Sequence, residues 1–162
     1  MSARIAASAL DRRKFARFGD VIDTQGAPDK RINQGLCARY HDRAALDFED
    51  GRAGISLFDG VPRALPLQLE MMERHPLGSQ AFVPMSLAPF LVIVAPDEAG
   101  RPGRPRAFIT APGQGINYRR GVWHGVLTPL HAPGLFAVID RIGAGANLEE
   151  HWFETPYTIV AA

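Results

Sequence analysis

The nine residues Leu67-Gln68-Leu69-Glu70-Met71-Met72-Glu73-Arg74-His75 decide the fold class. They alternate as a half-buried strand should, and their odd positions, Leu67, Leu69, Met71, Glu73 and His75, project from one face. An apolar row that ends in an acid and an imidazole predicts a strand leaving a packed interior for a polar cavity, as strands do at a barrel mouth. After Pro76-Leu77-Gly78 the chain returns through Gln80-Ala81-Phe82-Val83-Pro84, which places Gln80 near His75 across a hairpin.

On either side of this stretch the same signals recur. Short runs with strand character cover 54–58, 80–85, 90–94, 107–110, 123–127 and 135–141, separated by glycine and proline turns. Many short strands with such turns predict an all-β sandwich or barrel. A parallel α/β sheet would need amphipathic helices between the strands, and after Phe18 only 44–49 offers a weak candidate. One early helix is expected, with Asp11 as N-cap, Phe15 and Phe18 on one face and Gly19 as the stop. The segment 95–105, with three prolines and two glycines, reads as one mobile loop.

The chain has 162 residues, enough for one domain with a single core, expected to span 1–162. Its 18 basic and 17 acidic residues nearly balance and form no dense basic block, so nucleic acid is not an expected partner. Cys37 is the sole cysteine, which rules out an intrachain disulfide and a multi-cysteine metal site, and the cytoplasm is the expected location. Charged residues precede any long apolar run, so neither a secretory leader nor a membrane span is expected.

A second histidine follows a glycine turn in Gly121-Val122-Trp123-His124. Together the two histidine regions resemble the paired motifs of cupins. The first cupin motif, H-x-H-x4-E, is met by Glu73-x-His75-x4-Gln80, with Glu in the first histidine position and Gln in that of the glutamate. The second, G-x5-P-x-G-x-x-H-x3-N, is met at Gly113, Gly121 and His124, with Arg119 in place of proline and Thr128 in place of asparagine. The strings ERHPLGSQAFVPM (73–85), GINYRRGVWHGVL (115–127) and VIDR (138–141) narrow the match. With FGDVI (18–22), RINQG (31–35) and RYHD (39–42), they resemble the ureidoglycolate lyase family over nearly the whole chain.

The resemblance implies a cupin-like antiparallel β-barrel (a double-stranded β-helix) with a short N-terminal helix, assembled as a homodimer. It also implies cleavage of (S)-ureidoglycolate to glyoxylate and urea in allantoin degradation, a part of purine catabolism; the alternatives are a cupin module that binds a small carboxylate without turnover and another metal-dependent cupin enzyme. Glu73, His75 and His124 are the expected catalytic residues, and with Gln80 they are the expected holders of a divalent metal, nickel by resemblance. An amide binds such an ion less well than a carboxylate, so a weakly held metal is expected and no organic cofactor. Gln80, Arg119 and Arg141 are the expected substrate contacts, with Arg120 a further candidate, since a guanidinium matches a carboxylate bidentately. Asp140 is open to an alternative reading, as an ion-pair partner of Arg141. His41, His131 and His151 are expected to be surface or structural residues, and no role is assigned to Arg31, Asn33 or Arg39.

Overall fold

Asp11 starts the one α-helix among the described residues by accepting from the backbone N–H groups of Arg13 and Lys14 at 3.0 and 2.9 Å, which caps two of the donors a helix start leaves unpaired. In this computed structural model, which describes residues 2–162, helix α1 (Arg12–Phe15) follows strand β1 (Arg4–Ala9) and leads to β2 (Gly19–Ile22). The chain continues through β3 (Lys30–Ile32), a 3-10 turn, β4 (Cys37–Arg39), β5 (Arg52–Asp59), β6 (Leu67–Arg74) and β7 (Gln80–Pro84). Next come β8 (Phe90–Ala95), β9 (Asp97–Glu98), β10 (Arg101–Pro102), β11 (Arg106–Ile109) and β12 (Gly115–Tyr118). It ends with β13 (Trp123–His124), β14 (Thr128–Pro129), β15 (Leu135–Ile142) and β16 (Glu149–Ala161).

The all-β barrel expected from the sequence is present, in two layers. Strands β11-β1-β16-β6-β13-β8 form one sheet that closes on itself through a β8–β11 pairing. Strands β2-β12-β7-β15-β5 form an open five-stranded sheet, antiparallel throughout. In the closed sheet β1 runs parallel to both β11 and β16, while the other pairings are antiparallel. The pair β9–β10 forms a small hairpin inside the segment expected to be loop, and 44–49 is not helical.

Alternation along the strands divides the apolar side chains between two cores. Leu91 and Ile93 of β8 join Ile5, Leu67, Leu69, Met72, Trp123 and Ile159 inside the closed sheet. Phe90, Val92 and Val94 point the other way, against Phe82, Ile116, Phe136 and Val138 on the inner face of the open sheet. Gly19 permits β2 to lie close to β12, because a Cβ there would collide with the Asn117 carbonyl. Phe15 and Phe18, both buried, close this second core from the helix side.

The expected single face of β6 is broken. Leu67, Leu69 and Met72 share the closed core, so the alternation slips by one residue between Leu69 and Met72. Opposite that point the β16 register shifts between Trp152 and Tyr157, as a bulge would produce. Below the slip the odd residues face the closed core, and above it Glu73 faces the space between the two sheets. The expected hairpin is also replaced by a corner: β6 belongs to the closed sheet and β7 to the open one, and residues 75–79 carry the chain across.

Candidate active site

Five strand ends converge where the two sheets part. His124 is in register with Glu73, and because Trp123 points into the closed core, its neighbour His124 points between the sheets with Glu73. From the open sheet, Tyr118, Gln80 and Asp140 lie side by side on adjacent strands β12, β7 and β15. The His124 ring stacks on Tyr118, with centroids 4.3 Å apart and planes 7° from parallel. The His75 ring lies 5.1 Å from that of His124. A cavity of about 420 Å³ opens here, lined by Glu73, Gln80, Phe58, Phe82, Leu127 and Asp59 among others.

Hydrogen bonding selects the neutral tautomer of both imidazoles. His75 Nδ1 lies 2.8 Å from the Asn147 carbonyl and His124 Nδ1 lies 3.0 Å from the Gly125 carbonyl. A carbonyl only accepts, so in the neutral imidazole each Nδ1 carries the proton and each Nε2 offers a lone pair. Neither Nε2 has a hydrogen-bond partner, although both are buried, and Gln80 Oε1 is in the same condition. Glu73 Oε1 lies 3.8 Å from His75 Nε2, and one ligand atom from each of Glu73, His75 and His124 falls within 4.8 Å of the others. Imidazoles held by Nδ1–H to carbonyls, with converging Nε2 lone pairs beside a carboxylate, match the donor set and outer support of a divalent metal site.

The buried setting also shifts the acids and bases. Burial is the main cause that raises the Glu73 carboxyl above its usual range, opposed by His75 and reinforced by Glu150. His124 is lowered to about 3, chiefly by burial and then by His75, so it is neutral near pH 7. Burial pushes the Tyr118 phenol upward, which keeps it protonated.

Of the residues expected in the site, Glu73, His75, Gln80 and His124 meet here, while Arg119 and Arg141 lie elsewhere. Arg119 is exposed and lines a separate surface cavity with Asp47 and Ser79. Arg141 alternates with Asp140 and so projects from the outer face of the open sheet. Its guanidinium donates to the Phe48 carbonyl at 3.0 Å, the Ala144 carbonyl at 2.9 Å and Asp50 Oδ1 at 2.6 Å. Asp140 therefore has no ion pair with Arg141; it accepts instead from Gln80 Nε2 at 3.2 Å. Arg31, Asn33 and Arg39 are exposed on or beside the β3–β4 hairpin.

Asn147, Tyr118 and Asp140 are the site residues that sequence reading missed. Asn147 supports the corner twice, through its carbonyl to His75 and through Oδ1 to the Leu77 N–H at 2.8 Å. Nothing in the sequence around Asn147 points to it. Tyr118 sits in a string that resembles the family, and its place six residues before His124 was the available signal.

A family model described as ureidoglycolate lyase matches residues 2–160. A Rhodobacter capsulatus protein named ureidoglycolate lyase is 57% identical, over 96% of this chain and 98% of its own. A Rhizobium meliloti protein named ureidoglycolate lyase 2 is 55% identical, over 93% of each chain. A Chelativorans protein of the first name is 53% identical, over 96% of each.

Proposed function

This chain belongs to the ureidoglycolate lyase family, and from that premise and the site geometry we propose that it is a lyase that splits (S)-ureidoglycolate into glyoxylate and urea. The observation that carries the proposal is the grouping of the Glu73 carboxylate with the unpartnered Nε2 atoms of His75 and His124, beside a cavity of small-molecule size that Glu73 and Gln80 line.

The substrate is a carbinolamide: one carbon bears a carboxylate, a hydroxyl and the ureido nitrogen. In the route without a metal, Glu73, whose carboxyl burial raises above its usual range, takes the hydroxyl proton. The C–O bond becomes a carbonyl, the C–N bond breaks with its electron pair leaving on nitrogen, and the protonated Glu73 returns the proton to that nitrogen. Glyoxylate and urea result with no water consumed. His124, neutral near pH 7, is a poor proton donor and serves as an acceptor or ligand. Phe58, Phe82 and Leu127 supply apolar walls.

Glu73, His75, Gln80 and His124 would hold a divalent metal, for which nickel is proposed, with Gln80 the weakest of the four. When bound, such an ion supplies positive charge that favours the ionised substrate hydroxyl and offsets the substrate carboxylate. Support for a cation comes from the lining itself, which includes two carboxylates, Glu73 and Asp59, and neither lysine nor arginine. His124→Ala is expected to reduce nickel uptake measured by metal analysis; equal occupancy in parent and variant would reject the ligand set.

A homodimer and a cytoplasmic location complete the proposal, within allantoin breakdown. Ile55 and Leu57, 75% and 63% exposed on the edge strand β5, support the dimer by offering an apolar surface beside an unpaired edge. A light-scattering mass of one chain would refute it. Among the described residues no helix is long and apolar enough to cross a membrane. Incubation with racemic ureidoglycolate, with urea, ammonia and glyoxylate assayed separately, tests the reaction. Stoichiometric urea and glyoxylate are expected, and ammonia in place of urea would overturn the lyase assignment.

A further inference from the structure

We infer that Asp140 is a positioning residue, which fixes the Gln80 amide so that its carbonyl oxygen, and not its NH2 group, is presented to the site formed by Glu73, His75 and His124. The two side chains are directly in register on β15 and β7, and Gln80 Nε2 donates to Asp140 Oδ2 at 3.2 Å. An ionised carboxylate accepts hydrogen bonds and donates none. Beside Asp140 the amide therefore has one favourable orientation, NH2 toward the carboxylate and Oε1 away from it. Gln80 is 6% exposed, lines the same cavity as Glu73, and its Oε1 is buried without a partner. The consequence is that these four residues offer acceptors: two imidazole lone pairs, one carboxylate and one amide oxygen.

This placement also explains why a neutral side chain occupies position 80. Glutamate there would set two carboxylates against each other at the distance of a hydrogen bond, which disfavours the doubly charged state. Exchange of the two chemistries should work where a single change does not. With Asn at 140 and Glu at 80, the new amide can donate to the new carboxylate, and an acceptor oxygen still faces the cavity.

The inference deepens the metal-assisted reading proposed above, and its test separates the two. Parent, Asp140→Asn, Gln80→Glu and the double variant are compared for nickel affinity by calorimetry with nickel chloride alone, for kcat and KM on ureidoglycolate, and for melting temperature. Asp140→Asn frees the Gln80 amide to rotate and is expected to lower nickel affinity and kcat by roughly 10- to 100-fold, the usual loss when an outer support of a metal ligand is removed. The double variant is expected to recover most of both losses.

Parent-like affinity and kcat in folded Asp140→Asn would overturn the inference, as would a folded double variant no better than either single one. If Asp140→Asn unfolds, a folded and active double variant supports the positioning role, and an unfolded one makes the contact merely structural. Turnover without nickel binding in the parent removes the metal reading, while the kinetic cycle still decides the role of Asp140. Nickel binding without turnover removes the reaction, and the affinity cycle decides. A parent with neither overturns both.

Discussion

Truncation of Arg141 to alanine should unfold this protein more easily and leave substrate binding almost untouched. The side chain is 2% exposed, yet it is built into a corner rather than a cavity. It passes against Gly51, Gly78 and Gly143, where an added Cβ would strike its stem or its guanidinium at 2.6 to 2.8 Å. From there it ties segment 48–50 and the residues after β15 to the open sheet through the Phe48 and Ala144 carbonyls and Asp50. Hydrogen bonds to a charged group contribute about 1.5 to 3 kcal/mol each when buried. The bond to Asp50 counts for little, because that carboxylate is 84% exposed and remains hydrated when its partner is lost.

Two bonds to backbone carbonyls then set the scale. With allowance for water entering the space, Arg141→Ala should cost about 3 kcal/mol, which for a chain of this length lowers the melting temperature by roughly 6 to 12 °C. Arg141→Lys should recover little, since one ammonium cannot serve three acceptors held in different directions. Thermal unfolding by circular dichroism gives the stability, and Michaelis constants measured well below the transition give the binding. A melting temperature within about 2 °C of the parent, together with a KM raised about tenfold, would refute the structural role and return Arg141 to the substrate carboxylate.

Glu73→Gln should lower kcat by about a hundredfold to ten-thousandfold, the range for loss of a positioned base, with a smaller change in KM. Burial raises the Glu73 pKa, so the ionised side chain costs stability once pH passes that value. The amide variant should therefore melt no lower than the parent at neutral pH, and a clear drop would contradict the buried placement. Asp50 is held below its ordinary value of 3.8, first by its hydrogen bond to Arg141, so the stability it adds is present above that value and is lost as pH falls through the lower one. In Arg141→Ala its carboxyl should titrate closer to 3.8 in an NMR series, and an unchanged midpoint would deny the contact. Gly19→Ala should destabilise the pairing of β2 with β12 by forcing a methyl against the Asn117 carbonyl, read as a lower melting temperature; a parent-like melt would show that the strands separate without cost.

Sequence alone determined the class of the fold, the capped helix at Asp11 and most of the middle strands, because a strand with one buried face writes itself into a period of two. It also brought Glu73, His75, Gln80 and His124 together, through the spacing within two short motifs and the strings around them. Strands β1 and β16 went unread, since RIAASA offers little contrast between faces and the β16 run mixes charges and Pro156 with its apolar residues. Their pairing with each other spans more than a hundred residues of chain and that of β16 with β6 roughly eighty, and no local signal encodes such a partner.

Tertiary structure decided which face each side chain meets. The slip between Leu69 and Met72 reverses β6, so that Glu73 leaves the core that Leu67 and Leu69 enter, and a strict alternation cannot show where it breaks. It likewise separated two neighbours, Asp140 and Arg141. Adjacent residues on a strand point to opposite faces, so Asp140 reaches Gln80 in the site while Arg141 secures the outer corner. The sequence shows that the two residues are adjacent, but which face is the inner one depends on the sheet that packs against it.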